Sequence, residues 1–148
     1  MRSWIKLRNT TESIEPSEAL SYFVRFSKEV HKKDNRLKEN HFTPKMSPYV
    51  KSVFRTDRMK GNEIDQAEER VMLNSGKSSI FATAYFDEIM VGSARHNGNT
   101  LDVVPEESQY KWHADICGWP EGTDPLAKAA RTHLSQQLLR YATPVVLK

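Results

Sequence analysis

His113 and Asp115 are the residues whose types and spacing could support catalysis in this chain. A histidine titrates near neutral pH, and a carboxylate beside it can orient the ring for general acid–base work or metal ligation. On a strand, alternation puts both side chains on one face, opposite Trp112, Ala114 and Ile116. We predict a catalytic role for the pair. The alternative is that both residues face solvent or form structural hydrogen bonds to the turn that follows.

Three arginines recur among apolar residues in or beside predicted strands: Arg25, Arg55 and Arg95. A guanidinium group in such a position needs a carboxylate or a phosphate to satisfy its donors. If the three strands are neighbours, the arginines form an anion site that could include His113. Otherwise each arginine pairs with a carboxylate of the chain itself. The candidate internal partners are Asp57, Asp102 and Asp115.

A polar, basic segment without helical or strand periodicity lies between Phe26 and Phe42 and is predicted to be a surface loop. Its basic residues are His31, Lys32, Lys33, Arg36, Lys38 and His41. Basic side chains beside aromatic rings suit contact with a phosphate backbone and stacking with bases. A solvated loop explains the same composition. The formal net charge is only +3, so any preference for polyanions comes from such clustering.

Other kinds of site find no support in the sequence. It contains no glycine-rich phosphate-binding motif, and its five histidines lack the spacing of a helical metal site. The single cysteine, Cys117, cannot form an internal disulfide and is predicted to be a small buried residue rather than a nucleophile. We therefore expect no cofactor and no metal.

The elements that position these residues are mainly strands. Residues 20–27 fit both helical and alternating patterns, and their aromatic and β-branched content favours a strand. Asn97-Gly98 predicts a hairpin, because both residues accept positive φ, and a tight turn is expected at Asp87-Glu88. Further strands are predicted at 48–57, 78–86, 89–95, 100–105, 110–117 and 144–148, with an extended lead-in or edge strand at 1–13. The segment 78–86 is predicted to be a strand buried on both faces, although its small residues would also permit a helix.

Two helices are predicted. The first begins at Asn62 or the preceding glycine and ends at Gly76 in a left-handed turn. Its core stripe is Ile64, Ala67, Val71 and Met72. Thr123 or Asp124 caps the second, and Pro125 suits its first turn. Its core stripe is Ala127, Ala130, Leu134, Leu138 and Tyr141.

Together these elements predict one α+β domain over residues 1–148, with a mainly antiparallel sheet covered by two or three helices. No apolar run reaches the roughly 20 residues that span a bilayer, and the N-terminus lacks the apolar core of a signal peptide. We therefore expect no membrane partner and a cytoplasmic protein.

Two short segments resemble small uncharacterised bacterial proteins. One is Ser-Val-Phe-Arg-Thr-Asp at 52–57, and the other is His-Ala-x-Ile-x-Gly-Trp-Pro at 113–120. The resemblance covers these segments and the spacing between them. It implies no activity, cofactor or site residues.

Three functions follow as hypotheses. In the leading one, the protein binds a phosphate-bearing partner, a nucleic acid or a nucleotide, through the three arginines, His113 and the basic loop. In the second, it is a hydrolase or transferase on a phosphate-containing substrate, with His113 as acid or base and Asp115 as its orienter. In the third, it is a protein-interaction module, such as an antitoxin, inhibitor or phage-defence component, anchored by Trp112 and Trp119. The sequence does not distinguish enzyme from binding protein, and it does not give the oligomeric state.

Overall fold

The computed structural model describes residues 12–76, 79–140 and 142–148. The strands in these ranges are β1 (Leu20–Val24), β2 (Lys51–Phe54), β3 (Ala82–Phe86), β4 (Arg95–His96), β5 (Asn99–Thr100), β6 (Asp102–Pro105), β7 (His113–Cys117) and β8 (Val146–Leu147). The α-helices are α1 (Glu39–Phe42), α2 (Glu63–Ser75), α3 (Glu88–Gly92) and α4 (Pro125–Leu139). Short 3-10 turns span Ser27–Glu29 and Thr56–Arg58. None of the helices described is both long enough and apolar enough to cross a bilayer.

A six-stranded sheet with the order β6-β7-β2-β1-β3-β8 forms the centre of the molecule. All of its strand pairs are antiparallel. Strands β4 and β5 form a separate hairpin around the Asn97-Gly98 turn, where both residues have positive φ. The predicted α+β class and antiparallel sheet are therefore confirmed.

Helices pack on both faces of this sheet. On one face, buried residues of β1, β2 and β7 pack with Leu134 and Leu138 of α4 and with Phe42 of α1. On the other face, Phe23 and Phe54 pack with α2. Covering both faces explains why all five residues of β1 are buried. The strand predicted within residues 20–27 is confirmed for Leu20–Val24, whereas Ser27 begins a 3-10 turn.

Local signals set the ends of the two long helices as predicted. Helix α2 begins after Asn62 and ends at Gly76, whose φ of 71° is the left-handed conformation that glycine adopts without strain. Helix α4 begins with Pro125 after the N-cap Asp124. The chain turns into α4 at Gly118, where φ is +97° and a Cβ would collide with the backbone oxygen of Thr100. Only glycine therefore fits this corner.

Several local predictions are wrong. Asp87 is an N-cap rather than part of a tight turn: its Oδ1 accepts a hydrogen bond from Met90 N at 2.8 Å and starts α3 where a strand was predicted. Strand β3 is not buried on both faces, because Tyr85 is exposed. Trp112 has a φ of +64°, so it precedes β7 and does not share a strand face with Ala114.

The core stripe of α2 is also shifted from its prediction. Ile64 is exposed, whereas Glu68 is buried and pairs with Lys148. At the other end of the chain, β8 pairs with β3 as the predicted edge strand. Of the lead-in or edge strand predicted at 1–13, residues 12 and 13 belong to no strand and residues 1–11 lie outside the described part of the chain, as does the predicted core position of Tyr141.

Candidate functional site

A cleft of about 290 Å³ opens between β1 and β2. Within the described chain these neighbouring strands form a single ladder pair, Ser21 with Phe54. By contrast, β1 pairs with β3 along its whole length. The strands therefore separate towards the end of β1 and the start of β2. The cleft is lined by Tyr22, Phe23, Arg25, Val50, Lys51, Ser52, Phe54, Val71 and Asn74. We call it the β1–β2 cleft.

Lys51 is the unusual residue in this cleft. It lies opposite Ile116 in the register with β7 and two residues before the fully buried Val53, so it shares the apolar face of β2. Its Nζ lies 5.0 Å from the ring centre of Tyr22 and 5.1 Å from that of Phe42. No carboxylate or other acceptor among the described residues hydrogen-bonds or ion-pairs with this amine.

The electrostatic surroundings of Lys51 disfavour its charged form. Burial, followed by the positive charge of Arg25, lowers the pKa of Lys51 to about 8, against an opposing contribution from Glu29. The charge of Lys45 acts in the same direction as that of Arg25. A substantial fraction of Lys51 is therefore neutral near physiological pH.

Arg25 enters the same cleft with unused hydrogen-bonding capacity. Its Nη2 donates to Tyr22 Oη at 3.3 Å and lies 3.9 Å from Glu29 Oε1, beyond hydrogen-bond distance. Its Nε is buried and has no hydrogen-bond partner in the described part of the chain. A buried donor without an acceptor costs free energy, which an added oxyanion could recover.

Glu29 is the buried carboxylate of this region, and its oxygens are already engaged. Oε1 accepts a hydrogen bond from Tyr22 Oη at 2.8 Å, and Oε2 accepts from the backbone amides of Arg25 and Phe26 at 3.1 and 2.9 Å. Burial, together with the charge of Glu29, raises the pKa of Tyr22. Tyr22 is therefore a neutral donor, and Glu29 fixes the turn after β1 instead of neutralising Lys51.

His113 and Asp115 lie on one face of β7, as the alternation predicts, but no hydrogen bond joins them. His113 Nε2 is 3.7 Å from Asp115 Oδ1, whereas His113 Nδ1 bonds to the backbone oxygen of Glu106 at 2.7 Å. The imidazole is nearly buried, edge-on to Phe54 and Tyr110. These contacts give His113 a structural role, and its catalytic role stays a prediction.

Asp115 has an unusual environment of its own. Its Oδ1 is buried and has no hydrogen-bond partner among the residues described. Burial raises the pKa of Asp115, and the charge of Glu106 adds to this, while His113 and a hydrogen bond from Ser52 oppose it. Burial, followed by the charges of Asp102 and Asp115, likewise raises the pKa of Cys117, so its thiol is a poor nucleophile.

Arg55 pairs within the fold. It is fully buried, and its Nε and Nη2 donate to the two carboxylate oxygens of Glu18 at 2.6 and 3.1 Å. Nη1 and Nη2 also donate to the backbone oxygens of Glu12 and Ser13. Burial raises the pKa of Glu18, but hydrogen bonds and the charges of Arg55 and Arg58 outweigh it and bring the pKa below its ordinary value. Arg55 therefore pairs with an internal carboxylate, but the partner is Glu18 and none of the three aspartates named from the sequence.

The three predicted arginines do not converge on one site. Arg25 follows the end of β1 and Arg55 follows the end of β2, so the antiparallel pairing separates them by roughly 15 Å along the strands. Arg95 is exposed on the β4–β5 hairpin, outside the six-stranded sheet. Of the three, Arg25 has a buried donor, Nε, without a hydrogen-bond partner in the described ranges.

The basic loop is largely a solvated surface. The residues His31, Lys32, Lys33 and Arg36 are exposed, and Lys38 and His41 are half-buried. Arg36 donates to the backbone oxygen of Ala142 and lies 3.9 Å from Asp34. An isolated bridge between Val30 and Leu37 closes the loop. Its predicted contact with phosphate stays a prediction.

Of the two tryptophans predicted to anchor a protein partner, Trp112 and Trp119, one is buried in the core. Trp119 is buried, and its indole nitrogen donates to the Ile116 oxygen at 2.9 Å, so it cannot anchor a partner. Trp112 is half-exposed, and its backbone nitrogen is held by Glu107.

Sequence reasoning missed Lys51, although a signal was present. The segment Lys51-Ser52-Val53 places a lysine on the same strand face as a core valine, which is unusual for a charged residue. The second signal is Glu29, four residues after Arg25, but its burial could not be inferred from local pattern. Both signals point to the β1–β2 cleft.

Comparison with known proteins gives no information on the function of this chain. No protein family, curated protein or solved structure matches this chain significantly. In the described ranges, no group of three or more histidine, cysteine or acidic side chains is arranged to hold a metal ion.

Proposed function

We propose that this protein binds a small organic anion in the β1–β2 cleft, with Arg25 and Lys51 contacting its phosphate or carboxylate group. One observation carries the proposal. Arg25 and Lys51 both line this cleft, and Arg25 Nε is buried without a hydrogen-bond partner among the described residues. Lys51 Nζ lies over the rings of Tyr22 and Phe42 and forms no ion pair or hydrogen bond within the described ranges. Cationic donors withdrawn from water are stabilised by an oxyanion, and a guanidinium is well suited to bind one.

The size and lining of the cleft support a small ligand. Its volume of about 290 Å³ lies near the lower end of small-molecule sites. The cleft also reaches Phe23, Phe54 and Val71 on the α2 face of the sheet, whereas Tyr22 lies with the Lys51 amine on the other face. The exposed lysines of the basic loop contribute long-range attraction for an anion, not direct contacts. Of the three arginines that the sequence suggested for an anion site, the proposed site therefore uses Arg25.

Isothermal titration calorimetry with inorganic phosphate and with pyruvate tests the proposal and separates phosphate from carboxylate recognition. We expect Arg25→Gln and Lys51→Met each to weaken binding about tenfold or more, because each removes a charge-assisted contact. Arg95→Gln is the matched control, since it removes an exposed arginine outside the sheet. Equal binding by all four proteins, or no binding of either anion by the wild type, would contradict the proposal.

A further inference from the structure

We propose that Lys51 forms an imine with the ligand, which is a carbonyl compound carrying a nearby carboxylate or phosphate. This inference rests on the anion site proposed above and adds a covalent step to it. Lys51 supplies the nucleophilic amine, and Arg25 holds the anionic group.

The contacts of Lys51 distinguish it from other lysines of the chain. Lys148 pairs with Glu68, Lys111 lies 3.8 Å from a carboxylate oxygen of Glu63, and Lys45 donates to a backbone oxygen. Lys28 and Lys111 also lie over aromatic rings, but both residues are exposed. Lys51 is half-buried over two rings, and no acceptor in the described chain holds its protons. An amine becomes reactive when it is desolvated and lies near another cation, and both conditions hold here.

Burial and the nearby Arg25 charge lower the pKa of Lys51 to about 8. At about pH 7.5 this makes the neutral, nucleophilic fraction roughly 200-fold larger than for an ordinary lysine. Such a lysine attacks carbonyl groups readily at neutral pH, while ordinary surface lysines stay protonated.

The two rings beside Lys51 also suit the product. Tyr22 and Phe42 have ring centres 5.0 and 5.1 Å from the amine nitrogen. A protonated imine is a cation at the same position, so the cation–π contacts that the ammonium makes are kept. Arg25 Nε, buried without a partner in the part of the chain described, is a donor for the anionic group of the same ligand.

The reaction balances without a further reactant. The neutral amine forms a bond to the carbonyl carbon, and the carbonyl π electrons move to the oxygen. The nitrogen then releases one proton to water and the oxygen takes one up, which gives a neutral carbinolamine. The nitrogen lone pair then forms the C=N bond as the hydroxyl group leaves with a proton as water. Overall, an ammonium group and a carbonyl give a protonated imine and one water molecule. No electrons are exchanged with any other group.

Trapping with sodium cyanoborohydride tests this inference on the full chain. Hydride adds to the imine carbon and leaves a stable secondary amine, which intact-mass measurement and peptide mapping locate. The probes are pyruvate, which carries a carboxylate, and glycolaldehyde phosphate, which carries a phosphate. We expect one adduct, at Lys51, with whichever probe the anion site accepts. Lactate carries a carboxylate but no ketone or aldehyde group. It should therefore give no adduct, and by occupying the anion site it should slow trapping of pyruvate.

Matched variants separate the roles of the two residues. Lys51→Arg keeps the positive charge but should abolish the adduct, whereas Lys111→Arg should leave it unchanged. Arg25→Gln should slow trapping of the anionic probes about tenfold more than it slows trapping of neutral acetaldehyde, because acetaldehyde reports only the loss of amine reactivity that follows from removing the Arg25 charge. An adduct spread over several lysines would overturn the inference. Binding of pyruvate that depends on Arg25 but gives no adduct would overturn the imine alone, and absence of binding would remove both proposals.

Discussion

Replacing Lys51 with methionine should change how the stability of this protein depends on pH. The substitution removes a positive charge from the β1–β2 cleft and keeps an unbranched side chain. In the folded protein, burial and then Arg25 lower the pKa of Lys51 from the ordinary 10.5 to about 8. The folded state therefore binds this proton less tightly than the unfolded chain does.

The sign follows from proton linkage. Below about pH 8 the amine is protonated in both states, and its burial opposes folding. Between about pH 8 and about pH 10.5 the folded protein has lost the proton while the unfolded chain retains it, so stability rises with pH. The wild type should gain stability relative to Lys51→Met throughout this window.

The pKa shift fixes the expected magnitude. From about pH 7 to about pH 9.5, the full shift gives the wild type roughly 2 kcal/mol relative to the variant. Lys51 keeps part of its surface in solvent, which screens the charge, so we expect a change of about 1–2 kcal/mol. This change is independent of the packing difference between lysine and methionine, because that difference contributes equally at both pH values.

Urea denaturation of both proteins at the two pH values measures the change directly. Subtracting one protein from the other cancels the titration of all other groups. Lys60→Met serves as the control, since Lys60 is exposed and its charge stays solvated. A wild-type-to-variant difference that stays constant with pH, or that moves in the opposite direction, would refute the desolvated state of Lys51 and weaken both proposals.

Three further predictions concern binding and the buried charges. Affinity of the wild type for phosphate should fall as pH rises above about 8, because the anion prefers protonated Lys51, and calorimetry of Lys51→Met should show a weaker pH dependence. Arg55→Met should lower the free energy of unfolding by about 3–5 kcal/mol, because Glu18 is left buried without its partner; loss below about 1 kcal/mol in urea denaturation would contradict this. His113→Ala should cost about 2 kcal/mol through lost packing and a lost hydrogen bond; an unchanged melting temperature would favour a catalytic role instead.

The sequence by itself determined the local elements of this protein. Gly76 and Pro125 mark helix ends, and Asn97-Gly98 marks a hairpin, because each residue type restricts its own backbone conformation. Alternation also placed His113 and Asp115 on one strand face. Where local prediction failed, as at the helix that Asp87 caps, a polar residue read as a turn was instead starting a helix.

Only the tertiary structure decided which charges are neutralised. Arg25 and Arg55 look equivalent in sequence, but Arg55 meets Glu18, 37 residues away, while Arg25 keeps a buried Nε without a partner in the described chain. Lys51 likewise gains its aromatic neighbours from distant parts of the chain, where β1 and β2 separate. Backbone preferences act over a few residues, whereas burial and charge pairing depend on strand order and on which faces the helices cover.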